Sequence, residues 1–205
     1  MGREGIRVNT PDSDAKLYIR YLNKGDDEAI GELYERYSKS LVLFLYGMVS
    51  NMEDAEELMM DTFSILSSRT VRYVEKKESG FKTWLFSIAK NRARMFLRKH
   101  KTILSLSMVS EDSSELGETL QSDDPEPEEQ LIADESKKNL YEALESLSDE
   151  YRQVLYLTYF EDMRPADISR IMKKTTKQVY NLTSRGKEAL KEALERMGYN
   201  NPWMY

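Results

Sequence analysis

The 205-residue chain contains no cysteine and a single histidine, His100. Without cysteine there can be no disulfide staple, thiolate zinc site or cysteine nucleophile. One histidine leaves no partner for a histidine-based metal cluster or a standard catalytic triad. Long apolar runs are missing too. The longest, Leu41 to Met48, is interrupted by Gly47 and falls far short of the ~20 residues that span a bilayer. The first residues, which include Arg3, Glu4 and Arg7, form no apolar signal core, so a cytoplasmic protein without membrane insertion is expected. There is no phosphate-cradling loop and no nucleophile paired with a base. The expectation is a protein that is not an enzyme, with no catalytic residue, metal ligand or cofactor.

Charge is abundant, and its placement is uneven. A hydrophobic fraction of 40% beside 32% charged residues fits a strongly helical chain. The formal net charge of −6 hides three blocks. Lys82 to Lys101 carries seven bases and no acid; Thr102 to Gln130 carries nine acids and no base; Arg170 to Lys187 carries six bases and no acid. Basic stripes on helices are the electrostatic footprint of phosphate binding. One such stripe is ordinarily a solvated face; two, each in a helix with its own apolar face, favour nucleic acid.

The order of elements follows from apolar spacing. Residues 1–13 read as a disordered lead-in, and a helical pattern begins at Asp14. Ala29, Ile30, Leu33, Tyr34 and Tyr37 recur at three- and four-residue steps, and a second helix is expected from Ser40 to Val49. A third uses Ala55, Leu58, Met59, Thr62, Phe63 and Leu66 as its apolar face. Thr70 to Gly80 reads as a loop. A fourth helix starts near Phe81, with Trp84, Leu85, Ile88 and Phe96 inside and the basic stripe outside. The resulting expectation is an all-α chain of two small helical domains: 14–101, an acidic flexible linker at 102–130, then 131–198, with a tail at 199–205. Serines, acids and Pro125-Glu126-Pro127 cannot pack a core, which marks the linker.

In the second domain Leu140, Leu144 and Leu147 suggest one helix. Ser148 would cap the next, whose buried face is Val154, Leu155, Thr158 and Tyr159. Pro165 suits the first position of a short helix that buries Ile168, Ile171 and Met172. Thr175 and Gln178 form a capping box for a final basic helix. A short helix, a tight turn and a longer basic helix make a helix-turn-helix, whose second helix fills the major groove. On that geometry Thr176, Lys177, Gln178, Tyr180 and Asn181 are candidates for base reading, and Arg185 and Lys187 for phosphate contacts.

Leu147 to Leu190, LSDEYRQVLYLTYFEDMRPADISRIMKKTTKQVYNLTSRGKEAL, resembles the promoter-reading C-terminal domain of bacterial sigma factors of the extracytoplasmic-function group. DAEELMMDTF, Asp54 to Phe63, resembles that group's polymerase-binding helix. FKTWLFSIAKNRARMFLRK, Phe81 to Lys99, resembles its promoter-melting helix. The resemblance implies an N-terminal four-helix sigma domain two, a C-terminal sigma domain four, and a removable specificity subunit of core RNA polymerase. Glu57, Met60 and Asp61 would dock on the polymerase. Asn91, Arg92 and Arg94 would meet the minus-10 promoter element, with Lys90, Arg98 and Lys99 on phosphates. In the preceding loop Arg72, Tyr73, Lys76 and Lys77 combine a stacking ring with cations, the pairing used by single-strand binders. Members of the group are commonly held inactive by an anti-sigma factor, which is the further partner implied. Three positions depart from the family pattern: Met60, where glutamine is frequent; Lys174, at a turn position usually aliphatic; and Leu182, where many members have a base. The acidic linker is compatible with a solubilising spacer and equally with a nucleic-acid mimic. Two other readings stay open from the residues alone: a stand-alone helix-turn-helix regulator with a helical sensor or dimerisation domain, and a helical scaffold.

Overall fold

A computed structural model describes residues 13–71, 73–74, 80–107, 140 and 142–199. Among them every regular element is helical. Helix α1 (Asp14–Lys24) stops at Gly25, whose φ of 65° turns its amide back onto the Tyr21 carbonyl at 2.9 Å. Asp26 then opens α2 (Asp27–Val49), its carboxylate accepting from the Ala29 amide at 3.3 Å. Sequence spacing suggests two helices here; the chain runs through as one of 23 residues. Ser38, Lys39 and Ser40 offer nothing that breaks the backbone ladder. The Ser40 hydroxyl merely donates to the Tyr37 carbonyl at 3.5 Å.

Helix α3 (Met52–Ser67) is capped by Asn51, which accepts from the Asp54 amide at 3.0 Å. All six residues expected on its apolar face are buried. Thr62 satisfies its hydroxyl there by donating to the Leu58 carbonyl at 2.8 Å. Helix α4 (Phe81–Ser107) starts where expected and continues past 101, into the stretch assigned to the linker from sequence. Its buried face is Phe81, Leu85, Phe86, Ala89 and Ala93, while Trp84, Ile88 and Phe96 are partly buried against the same core.

The second group of helices begins with a helical stretch at 142–145 and a buried Leu147. Ser148 leads α5 (Asp149–Leu155) but makes no side-chain cap bond; Asp149 and Glu150 supply first-turn negative charge. The helix then widens into a π-helical turn, Tyr156–Phe160, in which the Glu161 amide reaches the Tyr156 carbonyl at 3.2 Å. The wider turn shifts the helical phase of its own residues. Leu157 is buried, whereas Tyr159, expected inside, is 56% exposed. Helix α6 (Pro165–Met172) carries proline in its first turn and buries Ile168, Ile171 and Met172. Helix α7 (Thr176–Arg196) opens on the expected capping box: the Gln178 amide donates to Thr175 Oγ1 at 3.2 Å and the Thr175 amide to Gln178 Oε1 at 2.8 Å.

The two groups meet along α4 against α6 and α2 against α5. Each large apolar side chain fully buried in this way contributes about 1.5–3 kcal/mol. The turn between α6 and α7 carries a local strain, because Lys173 sits at a φ of 55°. A side chain with a Cβ is disfavoured there by about 1–2 kcal/mol, part of which glycine returns through its greater unfolded-state entropy. Lys173→Gly should therefore raise the unfolding free energy in urea by roughly 0.5–1 kcal/mol; an unchanged or lower midpoint would show that the left-handed turn is unstrained.

Candidate nucleic-acid interface

Aromatic packing sets the start of α4. The fully buried Tyr18 ring lies 5.4 Å from Phe81 and 5.3 Å from Trp84. Its hydroxyl donates toward the Leu66 carbonyl at 3.2 Å and the Val71 carbonyl at 3.3 Å. Burial pushes that hydroxyl up to about 12. Tyr73 joins the same cluster, 5.2 Å from Trp84 and 5.5 Å from Phe81, and is only 9% exposed. The ring expected to stack on an unpaired base is thus part of the core. Its loop companions Arg72, Lys76 and Lys77 lie outside the described residues.

Beyond the cluster, α4 presents Asn91, Arg94, Arg98 and Lys99 to solvent. Arg92 is half-exposed and forms an ion pair with Asp61 of α3. That pair ties a residue expected at the polymerase to one expected at DNA. Lys90, expected on a phosphate, is 8% exposed. It follows Phe86 by four residues and precedes Ala93 by three, so the helical period places it on the inner face. Burial, Arg94, Lys174 and Lys173 together pull its ammonium down to about 8, with Glu150 opposing them. Lys174, one of the departures from the family pattern, pairs with Glu150 at 2.7 Å.

On α3, Glu57 is exposed and Met60 is 54% exposed. Tyr34, assigned to a buried face from sequence, instead stands beside them: its hydroxyl reaches Met60 Sδ at 3.7 Å and its ring meets Phe63 edge-on at 5.0 Å. Tyr34 and Met60 line a shallow groove between α2 and α3 with Lys39 and Glu56. Tyr34 lies on a boundary of the helical face, which a period-based reading does not resolve.

On α7, Thr176, Lys177, Gln178, Tyr180, Asn181, Arg185 and Lys187 are all exposed. Lys174, Gln178, Asn181, Leu182 and Arg185 line one open groove. Lys187 borders a different, apolar groove with Tyr159, Phe160 and Leu190. Gln178 Oε1 already accepts from the Thr175 amide, so its amide is not free to bond an adenine edge at both ends while the cap persists. Asp167 is buried between Arg164 Nε at 2.8 Å and Arg170 Nη1 at 3.2 Å, which fixes the outer side of α6.

Among the described residues, a helix-turn-helix with an exposed cationic and polar start to its second helix, packed through its first helix on a further basic helix, defines an all-helical protein of two parts. Residues 33–103 match the family model for Sigma-70 region 2, and residues 137–190 that for Sigma-70, region 4. Together they span more than half of the chain. The ECF RNA polymerase sigma factor SigM of Bacillus subtilis is 29% identical over 172 residues, covering 84% of this chain and 98% of that protein. The ECF RNA polymerase sigma factor SigW of the same species is 24% identical over 181 residues, covering 87% and 96%. Among solved structures, the sigma factor RpoE of Bartonella quintana, in complex with the anti-sigma factor NepR, shares the fold with a TM-score of 0.61. It is 20% identical and covers 80% of this chain and 96% of that one. The chain belongs to the sigma-70 family of RNA polymerase sigma factors, in the extracytoplasmic-function group. It is an alternative sigma factor that directs promoter recognition. No helix among the described residues is long and apolar enough to cross a membrane.

Lys90 gives the fold a pH dependence. Its ammonium titrates near 8 in the structure against 10.5 in a free chain. Between those values the unfolded state binds more protons, so stability rises with pH across that window. Urea unfolding measured from about pH 8 to about pH 10 should show this rise in the native protein and lose part of it in Lys90→Met. Parallel pH profiles for the two proteins would exclude the buried-lysine penalty.

Proposed function

We propose that the two helical parts divide promoter recognition between them. The first docks on core RNA polymerase through Glu57, Met60 and Asp61, with Tyr34 completing the surface. Its α4 meets the minus-10 element through Asn91, Arg92 and Arg94, with Arg98 and Lys99 on phosphates. The second reads the minus-35 element through Thr176, Lys177, Tyr180 and Asn181, with Arg185 and Lys187 on the backbone. Gln178 serves mainly as the cap that fixes the start of the reading helix. The observation that carries this reading is the start of α7, where cationic and polar side chains stand exposed behind an intact capping box.

Mechanistically the chain supplies binding and orientation, not bond chemistry. Groove readout by α7 positions the polymerase on duplex DNA. Strand opening at the minus-10 element costs a few kcal/mol per unstacked base, which contacts to the extruded strand offset. With Tyr73 inside the core, those contacts fall to the polar edge of α4 and to the loop cations Arg72, Lys76 and Lys77. RpoE was solved with an anti-sigma factor, and a partner of that kind is proposed here as well. The acidic stretch from Glu111 to Glu129 serves as the tether between the two parts.

Run-off transcription with purified core polymerase tests the division of labour. Lys177→Ala should redistribute activity among promoters that differ at minus-35, by about 1–3 kcal/mol of discrimination. Lys99→Ala should weaken all promoters alike and lower the salt slope by about one. Indistinguishable promoter profiles for the two variants would sink the assignment, and failure of core polymerase to retain the native chain would sink the whole reading.

A further inference from the structure

The contact between the two helical parts is polar and specific at one place. Lys82 Nζ, from the first turn of α4, pairs with Glu161 Oε2 at 2.8 Å and also donates to the Glu161 carbonyl at 2.8 Å. The Glu161 side chain is 8% exposed. Tyr156, in the π-helical turn, shares its hydroxyl proton between the Ser40 carbonyl of α2 at 2.9 Å and Glu161 Oε1 at 3.0 Å. Its ring lies 6.2 Å from that of Phe44. At the margin, Arg152 Nη1 donates to Ser50 Oγ at 3.3 Å, and the Tyr46 hydroxyl donates to Glu145. Residues 79 to 116 positions apart in the chain are joined by the Lys82 and Tyr156 bonds.

This contact acts on α4 where DNA is expected. With the two parts closed, Lys90 is buried under the influence of Arg94, Lys173 and Lys174, with Glu150 opposing them. A cation held among cations favours any state in which it reaches a phosphate. Clasp and DNA therefore pull the same equilibrium in opposite directions.

We propose that Lys82, Glu161, Tyr156 and the Ser40 carbonyl form an intrachain clasp that holds the free protein closed and withholds Lys90 from promoter phosphate. The clasp needs no second protein. Its effect on DNA rests on the reading that α4 faces the promoter. Opening exposes Lys90 and frees α6 from α4, and a ligand that binds the open form better shifts the population by its differential affinity.

The absence of cysteine allows clean labelling of the full chain. Dyes placed at Glu35→Cys and Glu188→Cys, both exposed and outside the clasp, report the separation of the two parts by energy transfer. The native background should show one short-distance population. Glu161→Gln and Tyr156→Phe should each add a long-distance population, with far-ultraviolet dichroism confirming that the helices persist. Affinity for a short, promoter-free duplex should rise roughly tenfold in Glu161→Gln, if one buried charge-assisted contact is lost, and the gain should disappear when Lys90→Gln is added. Unchanged distances in both clasp variants would refute the clasp. Lengthened distances without any gain in duplex affinity would refute the withholding of Lys90. Neither result touches transcription by the assembled polymerase, which tests the functional reading separately.

Discussion

The aromatic cluster around Tyr18 is the constraint that sets the arrangement of the first helical part. Tyr18, Tyr73, Phe81 and Trp84 come from α1, the connection before α4, and α4 itself, and their rings lie 5.2–6.3 Å apart. Tilted and edge-on pairs at such spacing add about 0.5–1.5 kcal/mol each beyond area burial. The cluster also fixes direction. Phe81 is both the first residue of α4 and a member of the cluster, so the rotational phase of the helix is set at its first turn. Every later residue of α4 then has its face assigned by the 3.6-residue period.

That phase explains why the basic stripe of α4 is not one surface. Phe81, Leu85, Phe86, Ala89 and Ala93 take the inner face. Asn91, Arg94, Arg98 and Lys99 fall outside, Arg92 falls beside α3 within reach of Asp61, and Lys90 falls inward. Counting bases along the sequence finds the stripe; assigning each base a role needs its angle around the helix. For Lys90 that angle is available in the sequence, since Phe86 and Ala93 bracket it at helical steps. A lysine in a basic stripe suggests a phosphate by its type, and its angle around the helix keeps this one buried in the closed arrangement.

Legibility varies with the locality of the signal. The apolar face of α3 and the Thr175–Gln178 box depend on neighbours within one or two turns, and both are present as expected. The continuity of α2 through Ser38–Ser40 depends on packing along its whole length, which local polar residues do not reveal. The π-helical turn at Tyr156–Phe160 is a change of helical pitch with no sequence mark, and Tyr159 within it is exposed. Tyr73 has the chemistry of a stacking ring, and its burial is hidden from the sequence because its partners, Tyr18 and Trp84, lie far from it or on another element. Roles on α7 are legible as exposure, but the double duty of Gln178 as cap and candidate reader emerges only from its bond to the Thr175 amide.

The same π-helical turn links fold to function in a way that a regular helix would not. At about 100° per residue Leu157 lies within one turn of the buried Gln153 and Val154, whereas Tyr159 lies well round from them. The widened turn itself holds Tyr156 against Phe44 and Ser40 and is followed directly by Glu161, which pairs with Lys82. Isolated π-helical turns occur preferentially where backbone regularity yields to a local requirement. Here the requirement is a carboxylate and a phenol aimed at the other helical part from a helix otherwise committed to its own core. The geometry that ends the hydrophobic register of the second part is the geometry that ties it to the first.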